Sequence, residues 1–205
     1  MSPDLRAGGS ATVKIIVSGG FGVGKTTMIR SASEIEPLTT EEYLTEVSGG
    51  VDSLAGVEHK ATTTVALDFG RLTFHQQQMV LYLFGTPGQD RFWFTWDDLV
   101  VGAVGAVVLV DTRRLADAFS AVGYFEQSQM PFVVAINEFD GAYHRYSTAE
   151  VREALEVPAR VPVVRCDVRD PRSAITVLLA VVDHALTCGH PHEHPSQPLV
   201  HGAPA

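Results

Sequence analysis

The stretch "TVKIIVSGGFGVGKTT", Thr12–Thr27, constrains the fold more than any other part of the chain. Apolar, β-branched residues run from Thr12 to Ser18 and stop at a glycine-rich turn. That turn ends in Lys25 and Thr26 and opens a helical stretch. Gly19, Gly24, Lys25 and Thr26 match the pattern G-x-x-x-x-G-K-[ST], in the strand–loop–helix setting that gives this pattern its physical meaning. Glycines let successive backbone N–H groups converge on phosphate oxygens without interference from Cβ atoms. The helix start adds unpaired donors and the positive end of a dipole. Gly22, Val23, Gly24, Lys25, Thr26 and Thr27 are therefore the candidate nucleotide-phosphate cradle. Lys25 is placed to reach the β- and γ-phosphates, and the Thr26 hydroxyl to ligate Mg²⁺.

Strand-like runs recur at Thr64–Leu72, Met79–Phe84, Gly105–Val110, Phe132–Asn137 and Val161–Cys166. Most are apolar on both faces, which suits a sheet covered by helices on each side. The stretch from Val65 to Leu83 reads as a hairpin and predicts one antiparallel edge strand. Ser147-x-x-Glu150 is a capping box for a helix over Thr148–Glu156. Asp170-Pro171 marks the start of the last helix, which carries Ile175, Leu178, Leu179, Val182 and Leu186 at helical spacing. Strand–helix alternation predicts an α/β fold, a three-layer P-loop NTPase with a mostly parallel, doubly wound sheet. Residues 12–187 form the expected domain. Residues 1–11 and the Pro/His-rich residues 188–205 are expected to be disordered tails, with His190, His192 and His194 a weak metal candidate. The polar segment Pro37–Thr63 fits no regular element.

With 205 residues, 45% of them apolar, the chain is long enough for one α/β domain with a real core. The net charge of −9 disfavours nucleic acid and anionic membrane as partners. Two cysteines, Cys166 and Cys188, make no disulfide framework and suit a reducing compartment. The longest apolar run, Leu99–Val110, is too short to span a bilayer and reads as a helix end feeding a buried strand. The expectation is a cytoplasmic protein without direct membrane insertion, recruited to a membrane, if at all, through a partner.

Three further motifs follow in order: "TTTVALDF", "GTPGQ" (Gly85–Gln89) and "NEFD" (Asn137–Asp140). With the phosphate loop, they make Thr12–Leu186 resemble the small Ras-like GTPases. "LFGTPGQDRFW" and "VVLVDTRRLAD" are most similar to the bacterial branch that holds the gliding-motility GTPase MglA and the actinobacterial conservon ATP/GTP-binding proteins. The resemblance implies a GTP/GDP-binding signalling switch that needs Mg²⁺ and hydrolyses GTP slowly. It gives Thr64 as a second metal residue, with Thr62 and Thr63 as rivals. It gives Gly88 as the γ-phosphate contact and Gln89 as the residue orienting the attacking water, so that Gln89 and Lys25 are the candidate catalytic pair. Asn137 and Asp140 become readers of guanine. It also implies a roadblock-type regulator or effector and a sensor-kinase-linked signalling complex as partners.

The departures are specific. Gly85 stands where the acid that steadies Mg²⁺ normally ends this strand; Asp111, at the end of the next strand, is a candidate substitute acting through water. Glu138 replaces a lysine that packs on the base. Phe21 fills a loop position that is usually small, and the later base-contacting element has no clear match around Cys166-Asp167-Val168. The aromatics of "DRFWFTWDDL", Phe92, Trp93, Phe94 and Trp96, are either interface anchors or core packing. Two other functions stay open: a scaffold that holds nucleotide without significant turnover, and an ATP-using P-loop enzyme.

Overall fold

The computed structural model describes residues 10–45, 62–87, 96–140 and 145–189. Strands β1 (Ala11–Gly19), β2 (Leu38–Thr45), β3 (Thr62–Phe74), β4 (Met79–Gly85), β5 (Ala103–Val110), β6 (Phe132–Asn137) and β7 (Val163–Cys166) form one sheet. Its order is β2-β3-β4-β1-β5-β6-β7. The pairs β1–β4, β1–β5, β5–β6 and β6–β7 are parallel, and β3 runs antiparallel to both β2 and β4. The mostly parallel α/β sheet with a reversed strand is thus as the sequence predicts. The reversed strand stands one place in from the edge, because β2 adds outside it.

β2 comes from the segment that fits no element by sequence. "LTTEEYLT" carries two adjacent glutamates and no strict alternation, and its ladder with β3, Leu38↔Phe69 to Thr45↔Thr62, supplies the pairing that its side chains do not announce. β7 begins at Val163, two residues later than its apolar pattern suggests, since Pro162 has no N–H to give a ladder.

The helices are α1 (Lys25–Ala32), α2 (Trp96–Val100), α3 (Phe119–Gln127), α4 (Thr148–Ala154) and α5 (Pro171–Cys188); a 3-10 segment, Thr112–Ala118, precedes α3. Ser147 and Glu150 close a full capping box at α4. The Asp170 carboxylate accepts from the Arg172 and Ser173 N–H groups at the start of α5. Ala11 and Cys188 belong to β1 and α5; residues 1–9 and 190–205, with the tail histidines, lie outside the described residues.

Strand alternation sorts the core into two layers. Ile15, Val17, Leu81, Leu83, Val107, Leu109 and Val133 face Met28 and Ile29 of α1 and Val177, Leu178 and Val181 of α5. Ile16, Ala106, Val108, Val110, Val134 and Ile136 face Trp96, Val122, Phe125 and Val151 on the other side. Trp96 is only 6% exposed and packs against the Tyr124 and Phe125 rings, so it is core rather than an interface anchor. Phe92, Trp93 and Phe94 lie outside the described residues. No described helix is long and apolar enough to cross a membrane.

Candidate nucleotide-binding site

β1 is the strand at which the order reverses, with β4 on one side and β5 on the other. In open parallel sheets the crevice at the carboxyl ends of such strands is where ligands bind. The phosphate loop lies there. Gly24, at φ +109°, caps α1 with no side chain, and α1 has no acidic residue in its first turn. A Cβ on Gly24 would stand 2.9 Å from Asn137 Nδ2 and 3.0 Å from Val168 Cγ2. The loop can therefore close on β6 and on the β7–α5 turn only with glycine at this position.

Lys25 is held inside the loop. Its ammonium donates to the carbonyls of Gly19 and Gly20, at 2.8 Å each. Burial pushes its pKa down to about 8, and the Asp68 carboxylate opposes that shift. The ammonium is still mostly protonated at neutral pH, in a place where phosphate oxygens would stabilise the charge. Phe21, in contrast, turns away: it is 66% exposed, and the Arg114 guanidinium donates to its carbonyl at 2.6 Å.

Thr26 Oγ1 donates to Asp68 Oδ2 at 2.5 Å. Asp68 lies on β3, where the pairing of Phe69 with Phe84 sets it beside Gly85. A Cβ on Gly85 would meet Asp68 Cβ at 3.2 Å and Asp68 Oδ2 at 3.5 Å, so the Asp68 side chain fills the space above that glycine. Asp111 serves elsewhere. It accepts from Arg113 N–H at the head of the 3-10 segment and pairs with the Arg113 guanidinium at 2.7 Å. These partners hold its carboxyl below the usual range against the opposing effect of burial. The donors at the loop, a hydroxyl and a carboxylate, are oxygens suited to Mg²⁺, which takes few protein ligands and keeps several waters. Thr26, with Asp68 beside it, would hold Mg²⁺ there, and the ion would neutralise phosphate charge.

Asn137, 5% exposed at the end of β6, ties three segments together. Its amide donates to the Val23 carbonyl of the loop at 2.9 Å, and its side-chain oxygen accepts from Val168 N–H at 3.3 Å. Asp140 lies at the surface, in an ion pair with Arg169 that also engages Asp140 Oδ1 at 3.3 Å. The same guanidinium holds Asp167 at 2.8 Å and 2.9 Å. Arg169 draws the Asp167 carboxyl down to about 2 and lowers that of Asp140. Around Cys166-Asp167-Val168, where the sequence has no clear base-contacting match, the contacts to Asn137 and Asp140 come from Val168 and Arg169. Glu138 points away from the loop and pairs with Arg165 on β7 at 2.8 Å.

The structure thus brings Gly22, Val23, Gly24, Lys25, Thr26 and Thr27 together with Asn137, and places Asp140 on Arg169. Gly88 and Gln89 lie outside the described residues, although Thr86, just before them, is anchored by its N–H to the Val17 carbonyl at 2.9 Å. Of Thr64 only the backbone is described, paired with Tyr43. Asp68 and Arg169 are the site residues that motif reasoning missed. An aspartate inside the strand "VALDFG", where aspartate is disfavoured, is a signal that could have found the first.

Comparison with known proteins agrees with this geometry. The family described as "conserved hypothetical ATP binding protein" matches residues 17–188. The chain belongs to this family. It is a nucleotide-binding P-loop protein, similar over 130 residues, at 29% identity, to the uncharacterized protein MJ1339 of Methanocaldococcus jannaschii; the match covers 62% of this chain and 71% of that protein. Among solved structures, the FeoB G-domain of Methanococcus jannaschii superposes with a TM-score of 0.57 at 13% identity, over 86% of this chain and 99% of that one. The G domain of the T. maritima FeoB iron transporter gives 0.54 at 16% identity, over 87% and 99%. At such identities the likeness is one of fold, and it places this family member's sheet among the G-domains.

Proposed function

We propose that the chain is a GTP-binding switch that hydrolyses GTP slowly and changes the surface it offers a partner protein between its GTP and GDP states. The observation that carries this reading is Asn137 at the end of β6. It bonds at once to the phosphate loop and to the β7–α5 turn, with the ionised Asp140 three residues on. An ionised carboxylate only accepts hydrogen bonds, so Asp140 can take both adjacent N–H donors of guanine, and adenine has no matching pair. The sequence resemblance to MglA-like and conservon GTPases supports the same reading. It points to a roadblock-type regulator or effector, within a sensor-kinase-linked complex, as the partner.

A second reading, ATP, is favoured by one observation. Arg169 already occupies the oxygens of Asp140, so guanine must share or displace that guanidinium. The test is competition of GTP, XTP and ATP against one fluorescent nucleotide. If guanine is read, Asp140→Asn lowers GTP affinity roughly ten- to a hundredfold, because a donor then faces a donor. XTP gains, since xanthine carries an oxygen where guanine carries its amino group. A wild type that prefers ATP, or a GTP-to-XTP ratio unmoved by the substitution, refutes the guanine reading.

A further inference from the structure

We propose that Asp68, on β3, is the positioning acid of the Mg²⁺ site, doing from the neighbouring strand what the residue at Gly85 cannot do from β4. The proposal rests on the nucleotide-switch reading and adds the residue that steadies its metal.

Three observations converge on Asp68. First, its carboxylate accepts the Thr26 hydroxyl proton at 2.5 Å. A hydroxyl has one proton and two lone pairs. Once its proton points at Asp68, the lone pairs of Thr26 Oγ1 are turned outward and fixed in direction, which is what a metal ligand requires. Second, the Asp68 side chain lies against Gly85, in the space a side chain at position 85 would crowd. The Cβ that any residue other than glycine would bring to position 85 lies 3.2 Å from Asp68 Cβ and 3.0 Å from Ile29 Cδ1. With glycine at 85, Asp68 lies over the end of β4 uncrowded. Third, Asp68 is close enough to Lys25 to act on its charge, so the carboxylate belongs to the same electrostatic site as the phosphate-binding ammonium. Asp111, the other acid near the ends of these strands, is committed to Arg113 and to the 3-10 segment.

The arrangement also explains how the strand after the hairpin keeps a "GTPGQ" loop without its acid. The β3–β4 register makes the two positions neighbours, so a carboxylate on β3 can stand over the end of β4.

The test uses the full chain loaded with fluorescent GDP. Release is followed across a Mg²⁺ series and in excess EDTA. Wild type is expected to release faster when Mg²⁺ is stripped. Asp68→Asn keeps the shape and still accepts from Thr26, but loses the charge. It should need roughly 10- to 100-fold more Mg²⁺ for half-maximal retention, the usual effect of losing a carboxylate that orients a metal ligand. In EDTA its release should be no faster than wild type, because removing a negative charge beside the phosphates cannot weaken their hold, whereas a merely structural defect would speed release. A half-maximal Mg²⁺ concentration for Asp68→Asn within twofold of wild type overturns the assignment while leaving the switch reading intact. So does faster release from Asp68→Asn than from wild type in EDTA, which marks a defect independent of the metal. A wild type that retains no nucleotide, or is indifferent to EDTA, overturns the switch reading and this assignment with it.

Discussion

Asn137→Ala probes the joint on which the whole site depends. Asn137 is buried, as are its partners' residues Val23 and Val168. The substitution deletes the bonds to the Val23 carbonyl and the Val168 N–H, and leaves both backbone groups facing a methyl. A buried polar group without a partner costs about 1–3 kcal/mol, so two cost about 2–6 kcal/mol. Domains of this size are stable by about 5–15 kcal/mol, so the loss is a large fraction of the whole. Urea titration of the nucleotide-free protein should show that drop with an unchanged slope, because the native state stays compact. The phosphate loop loses its tether in the same step, so nucleotide affinity should fall by about tenfold or more. Asn137→Asp keeps the acceptor for Val168 but faces a carboxylate oxygen to the Val23 carbonyl, and should be no better than alanine. A stability loss under about 0.5 kcal/mol for the alanine variant, with nucleotide affinity kept, would refute the idea that this amide braces the loop.

Lys25 gives a pH signature. Its pKa lies near 8 in the free protein, and bound phosphates must raise it, so binding takes up a proton above that value. Nucleotide affinity should be level below pH 8 and fall above it by up to about tenfold per unit; the fall should vanish, with most of the affinity, in Lys25→Ala. The stability of the nucleotide-free protein moves the other way. A lysine whose pKa is depressed on folding contributes stability as pH rises from about 8 towards its unfolded value near 10.4. Both trends are read by titration calorimetry and thermal melting across the same buffers. Asp170→Ala removes the cap of α5 and should cost about 1 kcal/mol, lowering Tm by about 2–4 °C; a shift below about 1 °C would show that the cap contributes nothing.

Local chemistry in the sequence determined the parts of this protein that are built within a few residues. The phosphate loop is one, since Gly19 to Thr26 carry their own backbone constraints and sit between a strand and a helix that announce themselves. The starts of α4 and α5 are others, because Ser147 and Glu150, and the Asp170 carboxylate ahead of Pro171, bond to N–H groups three residues away or fewer. The α/β class follows from apolar strands alternating with amphipathic helices. Tertiary structure decided what depends on register between distant segments. β2 exists because β3 offers it a ladder, and its own residues are poor evidence of a strand. Asp68 reaches Thr26 across 42 positions of chain, and Arg169 reaches Asp140 across 29. No periodicity or motif spacing encodes either meeting. Only the β3–β4 pairing and the turn after β7 bring Asp68 to Thr26 and Arg169 to Asp140.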